Sequence, residues 1–191
     1  MCGRLNVISD PLAMWVSHAL NLDYTTISND DLRPTDHIDA VVSMEGRCLQ
    51  LGARWGIKPS WSKKLIINAQ AETASEKKTF REAFARRRCL VPCTGWYEWR
   101  DEGRERKQKY SFTHSNSSPL LMAGIYFETE LGTELVTLTT EPNKICAVIH
   151  KRMPVLIEPT AADLWFGGTA EEVQPLLGAV HSDTIHVSEQ N

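Results

Sequence analysis

The sequence predicts an α+β fold: mainly antiparallel sheets forming an open, barrel-like core with flanking helices. Three observations carry this expectation. Short segments rich in β-branched and aromatic residues follow one another between 89 and 140, separated by polar or glycine-containing turns. A hairpin pattern precedes them between about 40 and 55. Only one long stretch near the start carries a clear helical period, and the later helical signals are short.

Taken in order, Asp10 followed by Pro11 reads as an N-cap with proline at the first helical position. Leu12, Trp15, Val16, Ala19 and Leu20 then recur at helical spacing. The stretch "AVVSMEGRCLQLGARW" reads as a hairpin turning at Glu45-Gly46. A second helix follows "NAQAE", where Thr73 and Glu76 have capping-box spacing. Its inward face is Phe80, Ala83 and Phe84, which leaves several of Lys77, Lys78, Arg81, Arg87 and Arg88 outward. "CLVP", "GWYEWR", "KYSFTH", "LLMAGIYFE" and "ELVTLTT" read as strands, with weaker helices near 143–149, 160–166 and 171–177. No internal repeat or linker interrupts the pattern, so one domain over 1–191 is expected.

With 191 residues, 42% of them hydrophobic, the chain can bury a sizeable core. There is no basic-then-apolar leader and no apolar run of membrane-spanning length, so a soluble, cytoplasmic protein without a membrane partner is expected. Cys2, Cys48, Cys89, Cys93 and Cys146 make an odd count with no C-x-x-C pair, which argues against a disulfide framework and a ribbon-type zinc site. No metal or other cofactor is expected. The net charge of −3 hides an asymmetry: 77–109 holds eleven Lys/Arg against five Asp/Glu, a local +6. Such a run is either a solvated face or a surface for phosphates.

Several residues invite chemistry. The chain opens "MCGR". Loss of Met1 would leave Cys2 with an α-amine and a thiol on adjacent carbons, a pair that captures aldehydes. The amine titrates near ~7.7–8, so a useful fraction is nucleophilic at neutral pH. Arg4 can hold an anion beside it. Asn68, in "NAQAET", either orients an amine or closes a loop before the helix. Glu98, between Tyr97 and Trp99, is a proton carrier if its strand face is buried and a solvated carboxylate if it is not. Strand alternation alone does not choose, because Trp96 and Glu98 share one face while Tyr97 and Trp99 share the other. In "HKRMP", His150 is suited to acid–base work and Arg152 to an anion.

In order along the chain stand "MCGR", "RPT" at Arg33 to Thr35, "WGI" with Trp61 following, "NAQAET", "FREAF", "RCLVPCTGWYEW", "AGIY", "LTTEPN" and "HKRMP". This series resembles the SOS-response-associated peptidase (SRAP) family from Cys2 to about Trp165. The resemblance implies a sensor that shields abasic sites in single-stranded DNA by a covalent crosslink through the processed N-terminal cysteine. It implies that the Cys2 amine forms an imine with C1′ of the opened sugar and the thiolate closes a thiazolidine. Asn68 would position the amine, Glu98 assist proton transfer, and His150 promote ring opening and reversal. Arg4, Arg81 and Arg152 would hold phosphates, with Pro34, Trp55 and Trp61 near the unstacked strand. AP-lyase activity and self-processing to remove Met1 are expected alongside. One departure is Gln70, which stands where the family usually has arginine. Two other readings fit the same residues: a cysteine peptidase using Cys2 and His150, and a non-covalent single-strand-binding module.

Overall fold

The computed structural model describes residues 3–190. Along the described chain come β1 (Leu5–Val7), α1 (Ser9–Leu20), β2 (Asn29–Leu32), β3 (His37–Met44), β4 (Arg47–Trp55) and β5 (Asn68–Gln70). Next are α2 (Ala71–Ala74), α3 (Arg81–Arg86), β6 (Arg88–Cys93), β7 (Gly95–Arg100) and β8 (Gln108–His114). The remainder holds β9 (Leu120–Thr129), β10 (Gly132–Thr140), α4 (Lys144–Ala147), β11 (Met153–Pro154), α5 (Ala162–Gly167) and β12 (Ile185–Gln190).

The predicted α+β class holds, with one change. The core sheet does not stay open: β4, β3, β6, β9 and β10 pair in that order, and β10 returns to β4. Its neighbours are antiparallel except for the parallel β4–β10 pair. The β9–β10 hairpin, in register from Gly132 opposite Thr129 to Thr137 opposite Gly124, makes the closure. Closure removes two strand edges that would otherwise need covering. Trp55, Leu90, Met122, Ile125 and Leu135 are fully buried in the core. The β3–β4 hairpin turns where the sequence predicts, with positive φ at both Glu45 and Gly46, as a twisted two-residue connection requires.

A second antiparallel sheet, β12-β8-β7-β1-β2, continues from the barrel because β6 passes into β7 through Thr94. Trp96 of β7 stacks on Phe112 of β8 at 4.8 Å, both buried. Strands β1, β2 and β12 escape the sequence patterns because they are short and partly polar.

The fold departs from the helical expectations in two places. The helix expected after "NAQAE" is two pieces, α2 and α3, and Thr73 lies inside α2 rather than at its cap, so the capping box does not form. Its inward face is nonetheless as expected, since Phe80, Ala83 and Phe84 are buried. Arg88 is buried too, with its guanidinium beside the rings of Phe84 and Trp165 and donating to the Gly168 carbonyl. In α1, Leu12, Val16 and Leu20 are the buried stripe. Among the described residues no helix is long and apolar enough to cross a membrane.

Strand β10 is shared. Its first half pairs with β4 at Glu134 and Leu135, its second half with β5 at Thr137 to Thr139, and its end with β11. The handover occurs at Gly56, which leaves β4 with φ +108° while its N–H still donates to the Leu135 carbonyl at 2.7 Å. That conformation is one an L side chain rarely adopts.

The β7–β8 pairing depends on a close backbone approach. A Cβ on Gly95 would stand 2.3 Å from the Phe112 carbonyl oxygen, whereas one on Gly178 would meet nothing within 4 Å. Gly95→Ala is expected to lower the unfolding free energy by more than ~2 kcal/mol and Gly178→Ala to change it by less than ~0.5 kcal/mol. Urea denaturation of the two variants checks this.

Candidate functional site

The site is built where the start of β1 runs beside β7. Leu5 lies opposite Trp96, and the Tyr97 N–H donates to the Arg4 carbonyl at 3.0 Å. Arg4 extends its guanidinium over the Trp99 ring at 5.7 Å and ties it to Asp31 at 2.6 Å. Asp31 also receives Arg33, and hydrogen bonds from Arg33 and then Arg4 hold its carboxyl below the usual range. One carboxylate therefore orients two guanidinium groups. Pro34 follows, half-buried. Cys2 lies outside the described residues.

The face that alternation left open is decided by packing. Trp96 and Glu98 both point inward, and Glu98 is only 4% exposed. On the other face Lys109 sits 3.8 Å from the Tyr97 ring centre, and Trp99 is half-buried under Arg4. Glu98 is thus a buried carboxyl rather than a solvated one. His150, at the end of the turn after α4, brings Nδ1 to 3.9 Å from Glu98 Oε1. Burial pushes Glu98 up to about 7 and lowers His150 from its ordinary value. Both shifts favour the uncharged form, so near neutrality a large share of the carboxyl keeps its proton while the imidazole is neutral. Environments that drive two titratable groups in this way assign one as acid and one as base.

Asn68 reaches the site from the other side of β10. It opens β5, directly opposite Thr137, whose buried hydroxyl donates to Asn68 Oδ1 at 2.6 Å. Four residues on, Glu72 of α2 receives Arg152 in a two-point ion pair at 2.9 and 2.7 Å. Arg152 Nη2 also donates to the Thr139 carbonyl at 2.5 Å. The main chain of Arg152 returns to His150: its N–H and its carbonyl lie 3.1 and 3.0 Å from Nδ1. Asn68, Glu72, Arg152, His150 and Glu98 are therefore linked through β10, although they come from three separate stretches of sequence.

Not every expected residue joins them. Trp55 is 0% exposed and donates its indole N–H to the Ile67 carbonyl at 3.2 Å. Its ring lies in the core and cannot stack on an unstacked nucleotide in this structure. Trp61, by contrast, is 68% exposed and borders a groove of about 490 Å³ with Ile57, Lys58, Phe127 and Leu131. Arg81 and Gln70 are exposed on α3 and β5. Sequence reading missed Asp31, Thr137 and the buried Cys146, whose thiol burial pushes up to about 12 with Glu98 adding to the rise. For Thr137 and Thr139 a signal existed: alternation in "TLTT" puts both on one face of β10.

A carboxyl raised by burial costs stability once it must ionise. Its penalty is absent below the unfolded carboxylate range and grows as pH climbs through about 7. Glu98→Gln is therefore expected to melt several degrees above the parent at pH 8 and to converge with it near pH 4, as thermal melts at the two pH values would show.

Comparison with known proteins places the chain in a family. Three relatives share much of the sequence. The Bacillus subtilis abasic site processing protein YoqW is 30% identical over 181 residues, covering 86% of this chain and 80% of its own. The Escherichia coli abasic site processing protein YedK is 32% identical over 116 residues, 58% of this chain and 52% of its own. The rat abasic site processing protein HMCES is 28% identical over 176 residues, 70% of this chain and 50% of its own. The fold is that of a crystallised Bordetella bronchiseptica protein, with a TM-score of 0.84 at 20% identity over the whole of both chains. A Bacteroides thetaiotaomicron structure gives a TM-score of 0.80 at 22% identity, covering 100% of this chain and 92% of that one. The family model described as SOS response associated peptidase (SRAP) matches residues 1–190, and the chain belongs to that family.

Proposed function

We propose that this protein processes abasic sites in single-stranded DNA by crosslinking to them through Cys2 once Met1 has been removed. The observation that carries the reading is the Glu98–His150 pair at 3.9 Å, a buried carboxyl and a half-buried imidazole held beside the strand that follows Cys2 and Gly3. The names of the relatives, all abasic site processing proteins, support the substrate class.

On this reading the neutral α-amine of Cys2 adds to C1′ of the ring-opened deoxyribose. The resulting carbinolamine loses one water, whose oxygen takes a proton from the protonated Glu98 carboxyl, and an imine forms. The thiol then adds to the imine carbon while its proton passes to nitrogen, closing a five-membered thiazolidine. No oxidant or reductant is needed, and one water is the only product released. The second step is intramolecular, so the thiol acts at high effective concentration. His150, neutral near pH 7, takes the hydroxyl proton that must leave when the sugar ring opens. Asn68 orients the amine, and Arg4, Arg81 and Arg152 face backbone phosphates, with Pro34 and Trp61 against the strand. A lesion without a base offers only phosphate, shape and aldehyde for recognition, which is the set these residues supply. Self-processing at Met1 and AP-lyase cleavage through the imine accompany the crosslink.

Mixed with abasic single-stranded DNA and run on a denaturing gel, the parent is expected to give a heat-stable shifted band. Cys2→Ser keeps the amine and is expected to cleave the strand by β-elimination from the imine without leaving that band. A parent without a Cys2-dependent band would falsify the assignment. The rate of crosslinking is expected to be bell-shaped in pH, rising as the amine deprotonates and falling as Glu98 ionises near pH 7. Glu98→Gln should lose the falling limb, and a pH–rate series on both proteins checks it.

A further inference from the structure

The stretch that carries His150 has little regular structure to hold it. It follows α4, passes through a bend at Lys151, and meets β11 only at Met153. Among the described residues, Arg152 gives it a two-point side-chain tether. That guanidinium is not turned to solvent: the side chain is 15% exposed, and both terminal nitrogens are engaged by Glu72, with one also on the Thr139 carbonyl. Glu72 is anchored in turn. Its Oε1 accepts the Glu141 N–H at 3.2 Å and the Thr140 hydroxyl at 3.4 Å, at the end of β10. The carboxylate therefore joins α2, the end of β10 and the His150 stretch. Bidentate pairing of this kind fixes direction as well as distance. Partial burial would raise the Glu72 carboxyl, but Arg152 outweighs it and holds the group below the usual carboxylate range.

We infer that Glu72 is a positioning residue for the reaction: through Arg152 it fixes the backbone that grips His150 Nδ1, and so sets the imidazole against Glu98 and the Asn68 strand. The inference rests on the proposed function for its consequence in catalysis, but its structural half stands apart. It also changes the part assigned to Arg152. A phosphate reaching that guanidinium must compete with a carboxylate already in place, so Arg152 acts first on His150. The clasp reaches His150 at Nδ1, which directs proton exchange with the sugar to Nε2.

The test uses the full chain with ¹⁵N-labelled histidine and compares the parent with Glu72→Gln and with Arg152→Lys. Glu72→Gln keeps the shape and loses the charge; Arg152→Lys keeps the charge and loses the two-point geometry. Each is expected to loosen the ring, admit water and move the His150 titration upward, toward the ordinary ~6.5, as the desolvation that lowers it is relieved. Crosslinking of abasic DNA is expected to slow about ten- to a hundredfold in both variants, and in Glu72→Gln affinity for intact single-stranded DNA is unchanged, because the loss is one of orientation. The double variant should be no slower than the worse single one, as for residues acting as a unit. A His150 titration that stays in place in both variants overturns the clasp. So does a Glu72→Gln protein that binds intact DNA more tightly, since Glu72 would then merely offset an arginine serving phosphate. If Glu72→Gln fails to fold, Arg152→Lys gives the same readouts. If the parent forms no adduct, the proposed function fails, and the imidazole titration still decides the clasp.

Discussion

Strand β10 cannot satisfy β4 along its whole length, and the rest of the architecture follows from that constraint. Where β4 turns away at Gly56, the second half of β10 is left to take β5 and then β11 as neighbours. The first half closes the barrel; the second half gathers the site. Backbone groups released from one ladder must be paired by another, since unpaired N–H and C=O groups are costly when buried. Here the replacement partners are the segments that carry Asn68 and follow His150. The same strand thereby couples core packing to the geometry of the candidate chemistry.

Electrostatics completes what topology begins. Glu98 projects inward from a β-sheet whose other face is covered by aromatic rings and cations, and it meets His150 where neither group is well solvated. Desolvation disfavours charge on both, so the neutral acid faces a neutral imidazole. The exterior is handled differently. Arg4 and Arg33 share Asp31, and Arg152 is held by Glu72, so each guanidinium is preoriented by a carboxylate before any anion arrives. Preorientation lowers the entropy lost on binding, at the cost of partly neutralising the charge that attracts a phosphate.

Much of the fold was legible because it obeys local rules. The β3–β4 hairpin could be read from Glu45-Gly46, the strands from 89 to 140 from their composition, and the inward face of α3 from Phe80, Ala83 and Phe84. What stayed hidden depends on distant partners. Trp55 and Trp61 lie six residues apart with similar local chemistry, yet one seals the core and the other stands in solvent. Glu98 could not be assigned a face because both faces of β7 carry aromatic residues. The Glu72–Arg152 and Thr137–Asn68 contacts span 80 and 69 residues, so only the paired strands reveal them. Closure of the barrel likewise needs the register of β9 against β10, which no single segment encodes.

The account turns on where the proton of the Glu98–His150 pair resides. Carboxyl-selective ¹³C NMR of the parent, titrated from acid to alkaline pH with Glu98→Gln used to assign the signal, measures it directly. The account predicts that the Glu98 carboxyl titrates with a midpoint near 7. A midpoint in the ordinary carboxylate range near ~4.3 would place a charge where the account requires a neutral acid, and would contradict it.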